Sequence, residues 1–186
     1  MNKICVILLH TRYELNFNIF LNIFNFKKPI IGTIIDTKLN SILGDSKVVQ
    51  AKVDTGAFSS SIDKGLLEEL GVIEPINLLN DPEFILEQEK PEYQNRGEVD
   101  KEARKKILEK YPSIKSIGRI YSSNGHRLTP FFELDIEIEG KNFKTIFNIS
   151  DRKKLEYPII LGRKALKGFL VDVEKDYDKH IKKFYE

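Results

Sequence analysis

The residues of this 186-residue chain best suited to chemistry are Asp54, Thr55 and Gly56, which close the apolar run from Val48 to Val53. Asp54 supplies two oxygens that can hold and polarise a water. Thr55 offers a short hydroxyl that can anchor a turn by hydrogen bonding. Gly56 has no Cβ, so a second backbone can approach closely and unusual backbone angles are open to it. The same residue types also make an ordinary strand-end turn, so the triplet takes its weight from what accompanies it.

A second segment accompanies it. Tyr157 to Leu166 reads as an apolar strand running into Gly162-Arg163 and then a short helix-like stretch. Between the two lie Ser122-Ser123-Asn124-Gly125-His126-Arg127 and Phe147-Asn148-Ile149-Ser150-Asp151-Arg152. In this order the motifs resemble the retropepsin-like aspartic proteases, the single-lobe class that includes the retroviral proteases. The intervening stretches resemble a bacterial and archaeal branch often labelled putative ATP-dependent zinc proteases and associated with RimK-type ATP-grasp ligases. The resemblance spans about residues 28–173.

That resemblance implies an aspartic-type endopeptidase with Asp54, Thr55 and Gly56 as its catalytic triplet. Such chemistry needs two carboxylates sharing one proton, because two close carboxylates cannot both ionise. This chain has one Asp-Thr-Gly. Asp36-Thr37 is followed by Lys38, and Asp172 sits in an apolar stretch without Thr-Gly. The expected enzyme is therefore a homodimer in which Asp54 of two protomers meets across a twofold axis. The resemblance also makes Asn124, Gly125, His126 and Arg127 a flap or substrate-binding edge; a tight turn with exposed polar residues is the other reading of the same four. Gly162 and Arg163 become structural, with Arg163 tying the helix to neighbouring loops. A peptide is the implied substrate and an ATP-grasp ligase a possible associate.

Two further readings differ in class. One is a non-catalytic peptide-binding module of the same fold, with Asp54 as a turn residue. The other is a metal-dependent hydrolase using Asp54 and His126. For the last the sequence offers little: His10, His126, His180 and Cys5 are scattered, with no His-Glu-x-x-His and no Cys-x-x-Cys. No metal ligand set and no cofactor are expected.

Composition bounds these readings. Lys and Arg total 30 against 28 acidic residues, a net charge of +2 that gives no footprint for nucleic acid. One cysteine permits no intrachain disulfide, which suits a cytoplasmic protein. A hydrophobic content of 41% suffices for one globular domain. Residues 1–26 look foreign to the rest. Ile4 to Leu9 is apolar but short, and Asn16 to Phe26 alternates Asn with Phe, Ile and Leu, too polar for a stable membrane span.

The elements that must position Asp54 read as mainly β. Pro29 to Leu39 and Val48 to Val53 form a hairpin around Gly44-Asp45-Ser46. Asp63 caps a short helix carrying Leu66, Leu67 and Leu70, and Gly71 closes it. Residues 73–117 are charged and broken by Pro75, Pro82, Pro91 and Pro112; they read as a partly helical insertion with one helix near Asp100 to Tyr111. The runs Arg104 to Lys106 and Glu87 to Lys90 read as solvated faces. β-pattern then returns. A strand over Arg119 to Ser123 turns at Asn124-Gly125. Phe132, Leu134, Ile136 and Ile138 alternate with acidic residues, and Phe143 to Ile149 alternates again. Ile159 to Leu161 and Phe169 to Val173 are the last strands. Many short strands between turns imply a closed or nearly closed β-barrel, with a short helix after the last-but-one strand. The domain plan is an extension (1–26), a retropepsin-like domain (27–175) and a tail (176–186).

Overall fold

The computed structural model describes residues 28–41, 43–89, 101–122 and 125–175. The extension before residue 27, the tail from 176, Lys90 and Asn124 lie outside them. The chain is mainly β. Its strands are β1 (Ile30–Ile31), β2 (Ile34–Asn40), β3 (Ser46–Val53), β4 (Ser60–Asp63), β5 (Ile114–Ser122), β6 (Gly125–Ile138), β7 (Lys141–Ser150), β8 (Ile159–Leu161) and β9 (Leu170–Val171). Among the described residues the helices are α1 (Lys64–Glu69), α2 (Glu74–Leu79), α3 (Pro82–Glu89) and α4 (Lys101–Lys110).

Seven strands pair in the order β2-β3-β8-β4-β7-β6-β5, and β2 also pairs with β6 through Lys38–Glu137 and Leu39–Ile136. The β3–β8 and β4–β7 pairings are parallel, the other pairings of this sheet antiparallel. β1 and β9 form a separate two-stranded parallel ribbon. Alternation decides which face is dry. Phe132, Leu134, Ile136 and Ile138 of β6 are buried while Glu133 and Asp135 are exposed. They meet Ala51, Val53, Phe147, Ile149, Ile159 and Leu161 in one continuous core. Burying a side chain of this size stabilises by about 1.5–3 kcal/mol.

The turn signals hold where backbone geometry demands them. Asp63 accepts from the Gly65 N–H at 2.9 Å and caps α1, and Gly71 beyond its end has φ of +74°. The β5–β6 hairpin places Ser122 opposite Gly125, whose φ is +108°.

Several elements differ from the sequence reading. The strand expected over Pro29 to Leu39 is split at Gly32-Thr33 into β1 and β2, which join different sheets. Pro75 and Pro82 start helices rather than break structure, because the first helical turn needs no N–H from them. Residues 73–117 contribute Ile76, Leu78, Phe84, Ile107, Ile114 and Ile117 to the main core, and β5 begins at Ile114 rather than Arg119. Glu87 is buried rather than solvated. The last strand stops at Val171, leaving Asp172 exposed beyond it. The helix expected after β8 is a run of turns over residues 163–168. Ala165 and Leu166 both donate to the Gly162 carbonyl, and Gly168 at φ of +101° ends the run.

Candidate functional site

Asp54 is delivered by the end of β3, a central strand flanked by β2 and β8. Val53 N–H donates to the Thr33 carbonyl at 2.8 Å, and Asp54 N–H to the Leu161 carbonyl at 2.9 Å. The backbone then leaves the sheet and folds over its own carboxylate. Asp54 Oδ1 accepts from the Gly56 N–H at 2.9 Å and the Ala57 N–H at 3.1 Å. Its other oxygen, Oδ2, accepts no hydrogen bond among the described residues. Thr55 and Gly56 are exposed.

The Gly162-Arg163 segment locks this loop from below. A Cβ on Gly162 would lie 2.5 Å from the Ser59 carbonyl oxygen and 3.0 Å from that of Ala57, so glycine is what permits the two backbones to cross. Gly162 N–H donates to Ser60 Oγ at 3.1 Å, and Arg163 N–H to the Ala57 carbonyl at 2.9 Å. The Arg163 guanidinium donates to the carbonyls of Thr55 and Gly56 at 3.2 and 3.1 Å. Arg163 thus holds the Asp54 loop through its backbone.

Beside the loop runs an open cleft of about 610 Å³. Gly56 and Ala57 form part of its rim, so the Asp54 carboxylate stands one hydrogen bond behind the rim and is not itself a lining group. The floor follows from strand register. Ser61 pairs with Asn148, Asn148 with Phe131, and Phe131 with Ser116, which makes a row across β4, β7, β6 and β5. Asn148 is buried and stitches the row together: its amide donates to the Ser60 carbonyl at 2.6 Å and accepts from Ser61 Oγ at 3.1 Å. Arg119 and Tyr121 of β5 form part of the walls, along with Phe58 and Lys164.

The hairpin residues are placed differently from their neighbours. Gly125 and His126 are exposed near the hairpin tip, and His126 packs its ring 5.9 Å from that of Tyr121. Arg127 donates to the Ile149 carbonyl at 2.5 Å; burial of its guanidinium lowers its pKa, opposed by nearby Asp151. None of these three lines the cleft; the opposite strand of the same hairpin does. Arg152, in the second motif, is buried. Its Nε donates to the Tyr157 carbonyl at 2.8 Å and its N–H to Asp63 Oδ2 at 2.7 Å. Burial lowers its pKa while Asp63 opposes this. It fixes the turn leading into β8.

Sequence reasoning missed Phe58, Ser59, Ser61, Asn148 as a linchpin, and Lys164. The signal available for Lys164 was its adjacency to Gly162-Arg163; the others depend on register between distant strands. Among the described residues no three of His, Cys, Asp or Glu cluster so as to hold a metal ion. None of the described helices is long and apolar enough to cross a membrane.

No family model matches the chain, and no curated protein matches it. Among solved structures it is similar to Lpg0085 from Legionella pneumophila subsp. pneumophila str. Philadelphia 1, described as a protein with unknown function (DUF785). The identity is 16% over 80% of this chain and 95% of that one, with a TM-score of 0.40.

Proposed function

We propose that the protein is an aspartic-type peptidase that works as a homodimer, with Asp54 of two protomers forming one catalytic pair. The ring of strands joined by the extra β2–β6 pairing would then be a small barrel of the retropepsin kind. The observation that carries the reading is the state of the Asp54 carboxylate. One oxygen is pinned by two backbone N–H groups, the other accepts no hydrogen bond among the described residues, and the loop around the half-buried carboxylate is exposed beside a cleft. A carboxylate held rigid on one side and open on the other is what a water-activating dyad requires.

In this mechanism one carboxylate of the pair is ionised and its mate protonated, since repulsion forbids a second charge. The ionised group takes a proton from the bound water as the water oxygen bonds to the peptide carbonyl carbon. The protonated mate, the partner's Asp54, hydrogen-bonds to the developing oxyanion. Collapse of the tetrahedral intermediate breaks the C–N bond, and the amine leaves with a proton from the pair. Gly56 and Ala57 N–H hold each carboxylate in place throughout. The exposed Phe58, 63% accessible in the single chain, gives the facing surface an apolar element suited to a second copy.

The test is a defined peptide library digested by the purified chain and read by mass spectrometry. Wild-type protein cleaves, a statine-type transition-state mimic blocks it, and Asp54→Asn loses turnover. Activity that survives Asp54→Asn, or that persists in a species shown to be monomeric by sedimentation, overturns the reading.

A further inference from the structure

The sheet has a gap in its wall, on the edge of β6 opposite β7. β5 runs beside β6 as far as the Ile114–Phe132 pair, and β2 takes over at the Leu39–Ile136 pair. Between these positions Glu133, Leu134 and Asp135 pair only with β7. At about 3.3 Å per residue, the gap from Phe132 to Ile136 is about 13 Å long. Alternate residues of an antiparallel strand direct their N–H and C=O to opposite edges, so part of this stretch turns its backbone polar groups to the gap. No strand lies beside them there, and no backbone hydrogen bond joins the segment 71–75 to them among the described residues.

A cavity of about 390 Å³ occupies the gap, within the range of ligand pockets. Val72, Ile73 and Pro75 wall it, and Phe132 and Leu134 form its inner side; all but Ile73 are buried. Two side-chain bonds brace the walls. Glu74 accepts from the Ser113 N–H at 2.8 Å and from the Ser113 hydroxyl. Ser41 Oγ donates to the Leu70 carbonyl at 3.0 Å, next to the lining residues Asn40 and Gly71. Walls held in advance lower the ordering cost of binding. The cavity is separate from the cleft beside the Asp54 loop. Phe131 lines the cleft and Phe132 the cavity, since successive strand residues face opposite sides.

Charge says what fits. Glu74, Glu133 and Asp135 line the cavity, and no Lys, Arg or His lines it among the described residues. Glu133 and Asp135 share the exposed face of β6. Asp135 meets Lys144 at 3.9 Å with both side chains more than half exposed, a weak pair. Glu133 enters no ion pair or side-chain hydrogen bond among the described residues.

We propose that the gap is a docking site for a short extended peptide in which apolar and basic residues alternate, about three of which lie beside β6 as an added strand. The peptide's backbone N–H and C=O groups meet the unpaired edge of β6. Its apolar side chains meet Phe132 and Leu134, and its Lys or Arg side chains meet Glu133 and Asp135. The site stands independently of the peptidase reading.

The experiment uses blocked, dye-labelled seven-residue peptides in which Val alternates with Lys, Gln or Glu, and reads binding by fluorescence anisotropy. Val-Lys binds about tenfold or more tighter than Val-Gln at low salt, Val-Glu binds weakest, and the differences shrink as salt rises. Glu133→Gln combined with Asp135→Asn, changes at exposed side chains, removes most of the Lys preference, whereas Asp54→Asn leaves it intact. A Val-Lys peptide N-methylated at its central residues loses about tenfold or more, because its backbone donors are gone. The unmodified peptide slows amide exchange within residues 133–135. Equal binding of the three peptides, a Lys preference that survives the double substitution, or an N-methylated peptide that binds as well as its parent overturns the proposal. So does lysinamide competing as well as the peptide, since the site would then take a free amine rather than a strand.

Discussion

Asp54 and Asp81 are both held by backbone N–H groups, and they end in opposite states. Asp81, between α2 and α3, is saturated. Its Oδ1 accepts from Glu83 N–H at 2.9 Å, and its Oδ2 from Lys110 Nζ at 2.5 Å and the Tyr111 hydroxyl at 2.7 Å. Its side chain is almost fully enclosed. The Lys110 hydrogen bond, with Tyr111 and Glu83 N–H adding to it against the cost of burial, brings its pKa from 3.8 down to about 2. Asp54 has the same kind of backbone clasp on one oxygen and no such partner on the other, in an exposed loop. A carboxylate with both oxygens engaged is a structural tie. One with a spare oxygen beside a cleft is available for a ligand or a water.

The sharpest way to break this contrast is to remove each carboxylate in turn. Asp54→Asn keeps the shape and the Oδ1 clasp, so peptide turnover falls by about 10²–10⁴-fold. Its melting temperature stays within a few degrees of wild type by differential scanning calorimetry. Asp81→Ala does the reverse. It strands Lys110 and Tyr111 and uncaps α3, costing about 1–3 kcal/mol in urea unfolding, with kcat/KM on the same peptide unchanged.

Gly162→Ala tests the locked crossing beneath the Asp54 loop. A Cβ 2.5 Å from the Ser59 carbonyl oxygen forces the two backbones apart. The expected loss is about 1–3 kcal/mol of stability, accompanied by lost turnover, since the displaced loop is the one that carries Asp54. Loss of stability with full activity would separate the crossing from the site.

Acid sharpens the comparison further. The folded Asp81 carboxylate titrates below its unfolded value, so it binds fewer protons than the unfolded chain between them. Its contribution to stability is complete above about pH 4 and is lost as pH falls toward about 2. Stability measured from pH 5 to pH 2 falls in wild type, and the fall is shallower in Asp81→Asn. The smallest effect belongs to Arg163→Ala. It removes two hydrogen bonds from an exposed guanidinium, worth about 0.5–1.5 kcal/mol. Loosening of the loop shows as faster amide exchange at Gly56 and Ala57.

Local rules made much of this legible in the sequence. The alternation of Phe132 to Ile138, the left-handed Gly125 opposite Ser122 and the Asp63 and Gly71 ends of α1 are decided within a few residues, and they stand where expected. So does the strand that presents Asp54, with Gly162 and Arg163 against its loop. What sequence could not give depends on register between distant strands. Asn148 is a linchpin only because Ser61 lies opposite it, and Arg119 and Lys164 share a cleft only through the packing of β5 against β6 and of the turn after β8 against the Phe58 loop. Pro75 and Pro82 read as breakers because proline opens a helix and ends one with equal ease, and the choice belongs to the core that Ile76, Leu78 and Phe84 fill. Turns took the place of a helix after β8 because the segment closes at Gly168 before a second repeat of i→i+4 bonding can add up.

The arginine clamp joins positions 108 residues apart in the chain, and β8, which leads into it, is inserted between β3 and β4, two strands translated about a hundred residues before it. A ribosome emits the aspartate early and its fastener late. The nascent polypeptide therefore carries Asp54 without its fastener until the segment bearing Arg163 is made, and the loop takes its folded form only after β8 has paired with β3 and β4.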